Sequence, residues 1–203
     1  MKRVRLRTPL SEGDVRPLSV GDVVYISGTV VTLRDLGHRR ALELLRRGGS
    51  LPIDLRGLAV FHAGPVVRRV GGRFEIVAIG PTTSARMEPL EPEFIELTGV
   101  RMIIGKGGMG RGTAEACRRF GAVYVELVGG TASLITRSVR RVREVHWLDL
   151  GVPEAMWVLE VEDMGPAIVS IDAEGRNIHE PVMEKARSVL EELLQGFSEK
   201  PSS

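Results

Sequence analysis

Short apolar runs alternate along the chain with polar stretches punctuated by glycine and proline, and each run predicts an element. A short strand is expected over Arg3–Arg7, then a polar turn. A strong strand over Val23–Thr32 follows, introduced by Gly21 and Asp22. Ala41, Leu44 and Leu45 recur at helical spacing, which predicts a helix over Asp35–Arg47 stopped by Gly48-Gly49. Strands are expected over Leu58–Ala63 and Phe74–Ile79. Each runs into a Gly-Pro pair, Gly64-Pro65 and Gly80-Pro81, where proline halts the ladder and turns the chain.

A helix start is expected near Thr82–Ala85, and a helix over Pro92–Leu97. Arg101–Ile104 reads as a short apolar strand that opens into GKGGMGRG, with glycines at 105, 107, 108, 110 and 112. Helix Thr113–Phe120, strand Ala122–Val128 and helix Thr131–Arg137 come next. Such a strand–loop–helix–strand run implies parallel pairing. Three more strands are expected over Glu144–Leu148, Met156–Val161 and Ala167–Asp172. A final amphipathic helix carries Val182, Ala186, Val189, Leu190, Leu193 and Leu194 on one face. The fold class is α/β, with two sheets and helices on one side. Residues 1–197 form one domain and residues 198–203 a disordered tail.

Composition narrows the function. At 203 residues and 43% hydrophobic, the chain is long enough for a real core. No run approaches the ~20 apolar residues of a membrane span. The N-terminus has no apolar signal region, so a cytoplasmic protein is expected. A net charge of +2 is too weak to imply a nucleic-acid partner. The single cysteine, Cys117, can neither form an internal disulfide nor hold an iron–sulfur cluster or a zinc. It shares a helical face with Ala116 and Phe120 and is expected to be a buried hydrophobe. No residue of this chain is assigned to a metal. Asn177 and Gln195 are the only side-chain amides, which hints at a thermophile. The cations are 24 arginines and four lysines, so Lys106, alone in a glycine-rich loop, marks a place that wants a compact point charge.

Three motifs carry candidate chemistry. In RMIIGKGGMGRGTAEA a glycine loop links a strand to a helix. Its N–H groups and the helix dipole would cradle an anion, although a tight turn would use the same glycines. It is not a Walker A loop, because Gly107 follows Lys106. In GPTTSARM, Thr82 or Thr83 arrives at a helix start, as a cap or a site hydroxyl, and Arg86 follows one turn later, able to fork onto a carboxylate. In TLRDLGHRR, Arg34 ends the long strand, Asp35 is expected to cap the helix, and His38 lies one turn on. All three motifs sit at strand ends or helix starts, where open α/β sheets bind ligands. The residues alone point to a small dicarboxylate or phosphate.

These segments, with TPLSEGDVRPLSVGD, LAVFHAGPVV, ACRRFGAVYVELVGG and EAMWVLEVEDMGPAIVSID, resemble in order the β subunit, or C-terminal domain, of class I fumarases and L-tartrate dehydratases. The resemblance spans roughly Thr8 to Leu194. It implies a swivelling β/β/α three-layer fold with a mixed, partly parallel sheet. It also implies a partner α subunit, in an α2β2 heterotetramer, that carries a [4Fe–4S] cluster whose open iron acts on the substrate hydroxyl. By the same resemblance Arg34 and Arg86 bind substrate carboxylates, Lys106 binds the substrate and Thr82 takes part in proton transfer. His38, Thr83, Gly105 and Gly107 are possible accessories. The reaction implied is reversible hydration of fumarate to malate, with tartrate dehydration as the alternative. Without its α subunit the chain should expose an apolar surface. Lys106–Gly110 reads KGGMG where single-chain fumarases have KGNRS, which bears on substrate identity more than on reaction type. A reading of another class, a KH-like RNA-binding module built on IIGKGG, accounts for about 30 residues only.

Overall fold

The computed structural model describes residues 1–198. In chain order the elements are β1 (Arg3–Arg7), α1 (Glu12–Val15), β2 (Val23–Thr32), α2 (Asp35–Arg46), β3 (Ala59–Phe61), β4 (Val66–Val70), β5 (Arg73–Ala78) and α3 (Glu91–Thr98). They continue with β6 (Met102–Gly105), α4 (Arg111–Phe120), β7 (Val123–Leu127), α5 (Ala132–Ser138), β8 (Val139–His146), β9 (Met156–Ile171) and α6 (Glu180–Ser198). Apart from Ser198, which ends α6, the expected tail lies outside the described residues.

The fold is mixed α/β, and its main sheet is partly parallel. Strands β1, β2, β3, β6 and β7 pair in that order, all parallel. The long β9 is antiparallel and pairs with both β2 and β7, so β2, β3, β6, β7 and β9 close into a ring. β8 pairs with the first part of β9, on the side away from β2. Strands buried on both faces need apolar residues at every position, and MIIG of β6 is buried throughout. Alternate side chains feed two cores. Ile26, Phe61, Ile104, Val125 and Trp157 face one of them. Val31, Val60, Ile103, Tyr124 and Val158 face the other, which α2, α3 and α4 cover with Leu42, Phe94, Ile95 and Cys117.

Several elements differ from expectation, each for a physical reason. VVRRV forms β4 directly after Pro65 and folds onto β5 as a separate hairpin. Gly71 and Gly72 make its turn with φ of 55° and 79°. The hairpin sets Phe74 edge-on against Trp157 at 5.1 Å. β8 begins at Val139, not Glu144. Two register shifts against β9 break the alternation that would have marked it. The two strands expected on either side of Gly165-Pro166 are one strand. A register shift between the Ile26–Met164 and Val24–Ala167 pairs accommodates the proline, which has no N–H to give. The expected polar turn contains the short α1. Nor do the helices all share one side: Ile135 of α5 packs into the first core. Helix α6 leaves Val182, Met183, Val189, Leu190 and Leu193 exposed. Among the described residues no helix is long and apolar enough to cross a membrane.

Candidate active site

Arg34, Thr82, Arg86 and Lys106 all lie where parallel strands end. Arg34 follows β2 and holds the N-cap position of α2. Residues 81–86 cross the ends of β3 and β6. The Thr82 N–H donates to the His62 carbonyl at 2.7 Å, and the Ser84 N–H donates to the Lys106 carbonyl at 3.1 Å. Thr83 makes a short parallel bridge with Lys106. The expected helix start here is a single 3-10 turn, Ser84–Arg86.

Side chains complete the link. Arg86 Nε and Nη2 donate to the two Asp35 oxygens at 3.1 and 3.0 Å, and Nη2 also donates to Thr82 Oγ1 at 3.0 Å. Asp35 is therefore the partner of Arg86 and not the expected helix cap. Burial alone would raise the Asp35 carboxyl, but Arg86 outweighs it and holds the group below its ordinary range. Arg34 is largely covered. Its Nε makes no hydrogen bond, although Glu154 Oε1 stands 3.2 Å away. The other Glu154 oxygen accepts the Leu36 N–H at 2.9 Å, so one carboxylate serves both Arg34 and the free end of α2. Lys106 is half-buried and runs past Gly129, where an added methyl would lie 3.7 Å from Lys106 Cδ.

The glycine loop differs from the expected cradle, because the N-terminus of α4 is already occupied. Glu88 accepts the Gly110 N–H at 2.6 Å, the Thr113 N–H at 3.2 Å and the Thr113 hydroxyl at 2.6 Å. Gly105 is needed for close approach. A methyl there would lie 1.8 Å from Ser84 Oγ, so only glycine lets residues 81–86 lie against β6. Gly107 takes φ of 62° and its carbonyl accepts the Tyr124 hydroxyl at 2.9 Å. Thr83 is exposed. His38 is wholly buried behind Arg34 and donates from Nδ1 to the Arg34 carbonyl at 2.9 Å.

Asp35, Glu154 and a buried group of His62, Ser84 and Glu91 had no marker as site residues in the sequence. His62 Nδ1 lies 2.9 Å from Ser84 Oγ, and His62 Nε2 lies 3.0 Å from Glu91 Oε2. Burial would raise the Glu91 carboxyl, but the imidazoles of His62 and His38 outweigh it and hold it at about 2. Burial pulls His38 down, yet the Glu91 charge leaves it raised. For His62 burial wins and the group is lowered. A histidine closing an apolar strand and a glutamate opening a helix were the only hints, and neither pattern signals burial.

An iron–sulfur cluster finds no ligand set on this chain. Cys117 is single and buried on α4, and burial pushes its thiol well up.

The chain is thus a mixed α/β domain whose partly parallel sheet carries three cations and a threonine hydroxyl at its strand ends. Residues 1–182 match the family model described as Fumarase C-terminus. The L(+)-tartrate dehydratase subunit beta of Escherichia coli (strain K12) is 51% identical over 178 residues, covering 88% of this chain and 87% of that one. A Methanocaldococcus jannaschii protein, provisionally named L(+)-tartrate dehydratase subunit beta, is 45% identical over 186 residues, covering 91% and 95%. A Geobacillus stearothermophilus protein, provisionally named fumarate hydratase class I, is 38% identical over 193 residues, covering 95% of this chain but 36% of its own length. The chain belongs to the Fumarase C-terminus family, among the β-type subunits of the class I fumarate hydratase and tartrate dehydratase hydro-lyases.

Proposed function

We propose that this chain is the β subunit of a two-subunit hydro-lyase that reversibly hydrates fumarate to malate. The observation that carries the reading is Arg86, which joins Asp35, the neighbour of Arg34, to Thr82 at one rim of the sheet. Arg34 and Arg86 take the two substrate carboxylates, and Lys106 adds a point charge to the same dianion. Arg34 is steadied by Glu154 beside its buried Nε, and Arg86, tied to Asp35 through Nε and Nη2, has Nη1 left for a ligand. Thr82 stands at the reacting carbon. Its hydroxyl is a poor base near neutral pH, so a base from the partner must take or supply the proton. The Arg86 guanidinium 3.0 Å from Thr82 Oγ1 favours negative charge developing on that oxygen.

The α subunit completes the site in an α2β2 assembly and carries the [4Fe–4S] cluster, for which this chain offers no ligands. The exposed apolar residues of α6 agree with a chain that has a partner. The two cores, one inside the strand ring and one under α2, α3 and α4, favour the swivelling β/β/α three-layer description.

Anaerobic reconstitution with the α subunit tests the reading. Fumarate should be consumed, and Arg86→Ala or Thr82→Ala should abolish turnover. Full activity of both variants, or of this chain alone, would sink it. L(+)-tartrate is the second substrate to assay, because the two-subunit relatives at 51% and 45% identity carry its name.

A further inference from the structure

We propose that His38, His62 and Glu91 bind a divalent transition-metal ion, zinc by preference, which fastens together the segments carrying Arg34 and Thr82. Four buried atoms converge there, and none makes a hydrogen bond: His38 Nε2, His62 Nε2 and both Glu91 carboxylate oxygens. All three side chains are 0% exposed, and their ligating atoms lie within 4.8 Å of one another. Buried polar atoms without hydrogen-bond partners are uncommon, and each demands an explanation.

Protons are the competing explanation, because a protonated His38 or a hydrogen on His62 Nε2 would face the Glu91 carboxylate. His38 Nδ1 faces the Arg34 carbonyl, which can only accept, so one hydrogen sits on Nδ1, and whenever the ring is neutral its Nε2 presents a lone pair. That lone pair faces Glu91 Oε2 at 3.5 Å. His62 Nε2 stands 3.0 Å from the same oxygen without a hydrogen bond. With both rings neutral and hydrogen on each Nδ1, the lone pairs of the two Nε2 atoms and of Glu91 Oε2 would repel unless a cation lay among them.

The spacing suits a metal. Around a tetrahedral ion with bonds of about 2.0–2.2 Å, neighbouring donors lie roughly 3.3–3.6 Å apart. Of the two contacts to Glu91 Oε2, the 3.5 Å one falls in that range, and the 3.0 Å one would have to open by about 0.3 Å. Two imidazoles and one carboxylate oxygen supply three donors, and the second carboxylate oxygen, also without a hydrogen bond, leans in as a longer fourth contact. Metal-bound histidines have their second ring nitrogen held, as His38 Nδ1 is by the Arg34 carbonyl and His62 Nδ1 by Ser84 Oγ. The enclosure makes the ion structural, loaded as the chain folds. It would join α2, the end of β3 and α3. It would thereby fix the Arg34 carbonyl and the His62 carbonyl that accepts Thr82 N–H. These are positioning residues, and the site stands apart from the substrate reading above.

The full chain, expressed with added zinc and washed with a chelator, should retain equimolar zinc by elemental analysis. Refolded with cobalt(II), it should show the visible absorption of a four-coordinate ion, which Glu91→Gln and His62→Ala should remove. Ser84→Ala, which touches His62 but no metal, should weaken retention about tenfold or more in competition with a chromophoric chelator. His146→Ala and Cys117→Ala should leave the metal content unchanged. If the ligand variants fail to fold, X-ray absorption on the wild-type chain decides, through scattering from two imidazoles. Substoichiometric zinc with no cobalt band, absence of imidazole scattering, or loss of metal in His146→Ala or Cys117→Ala overturns the site. A protonated histidine–carboxylate cluster would then take its place.

Discussion

Arg86 and Asp35 meet through two parallel hydrogen bonds of 3.1 and 3.0 Å, so the arginine at the rim is aimed before any ligand arrives. The pair is partly solvated, with 44% and 32% of the two side chains exposed. Its value lies in orientation more than in stability. Asp35→Asn should leave unfolding within about 1 kcal/mol of wild type. The same change should lower kcat/KM of the reconstituted complex about tenfold, ~1.4 kcal/mol of transition-state stabilisation. Urea titration and steady-state kinetics read the two effects separately, and unchanged kcat/KM would remove Asp35 from the site.

Asp22 gives a pH signature. Its nearly buried carboxylate accepts the Lys2 N–H at 2.7 Å and the Ser19 N–H at 3.1 Å, and these bonds hold its carboxyl below the ordinary range. A depressed folded value means that the unfolded chain takes the proton first as pH falls. The stabilisation is full above the unfolded value of ~3.9 and is lost as pH drops through the folded one. Asp22→Asn should cost about 1.5–3 kcal/mol near neutral pH. The gap from wild type should close below about pH 4, measured as urea midpoints across that range. A gap independent of pH would show that charge is not the cause.

Gly105→Ala should damage fold and site together. The added methyl meets Ser84 Oγ at 1.8 Å on a strand that cannot retreat, because β6 is paired on both sides. A loss of about 1–3 kcal/mol is expected, with activity falling further than the stability loss explains. Gly107→Ala, strained only by its φ of 62°, should cost about 1 kcal/mol.

Glu88 fills the end of α4 that a ligand might have used. Glu88→Ala should cost about 0.5–2 kcal/mol, as lost caps do. It should also create a new response, with sulfate raising the melting temperature of the variant more than that of wild type. An equal response in both would mean that the helix end stays closed without Glu88.

The positions of Arg34, Thr82, Arg86 and Lys106 were legible because each follows a local rule about strand ends and helix starts. Their partners were not. Asp35 and Arg86 are 51 residues apart, and Leu36 and Glu154 are 118 apart; no local pattern encodes such pairings. Asp35 read as a cap because the first turn of a helix favours an acid for either purpose. Glu88 escaped notice because it caps a helix from outside the motif. β8 was hidden by its bulges, and the merging of two strands into β9 by a proline that normally ends one. The parallel core strands were plain because burial on both faces leaves only apolar residues to choose from.

Closure of the strand ring has a consequence for a subunit made before it meets its partner. Among the described residues the main sheet has two open margins, β1 and β8, and both expose arginines: Arg3, Arg5 and Arg7 on one, Arg140, Arg141 and Arg143 on the other. Arg5, Arg140, Arg141 and Arg143 are ion-paired with acids of β9, so long charged side chains flank both margins, and the bulges of β8 spoil its register for docking. The unpaired backbone of a newly made chain is thereby defended against runaway fibre growth, leaving recognition to side chains alone.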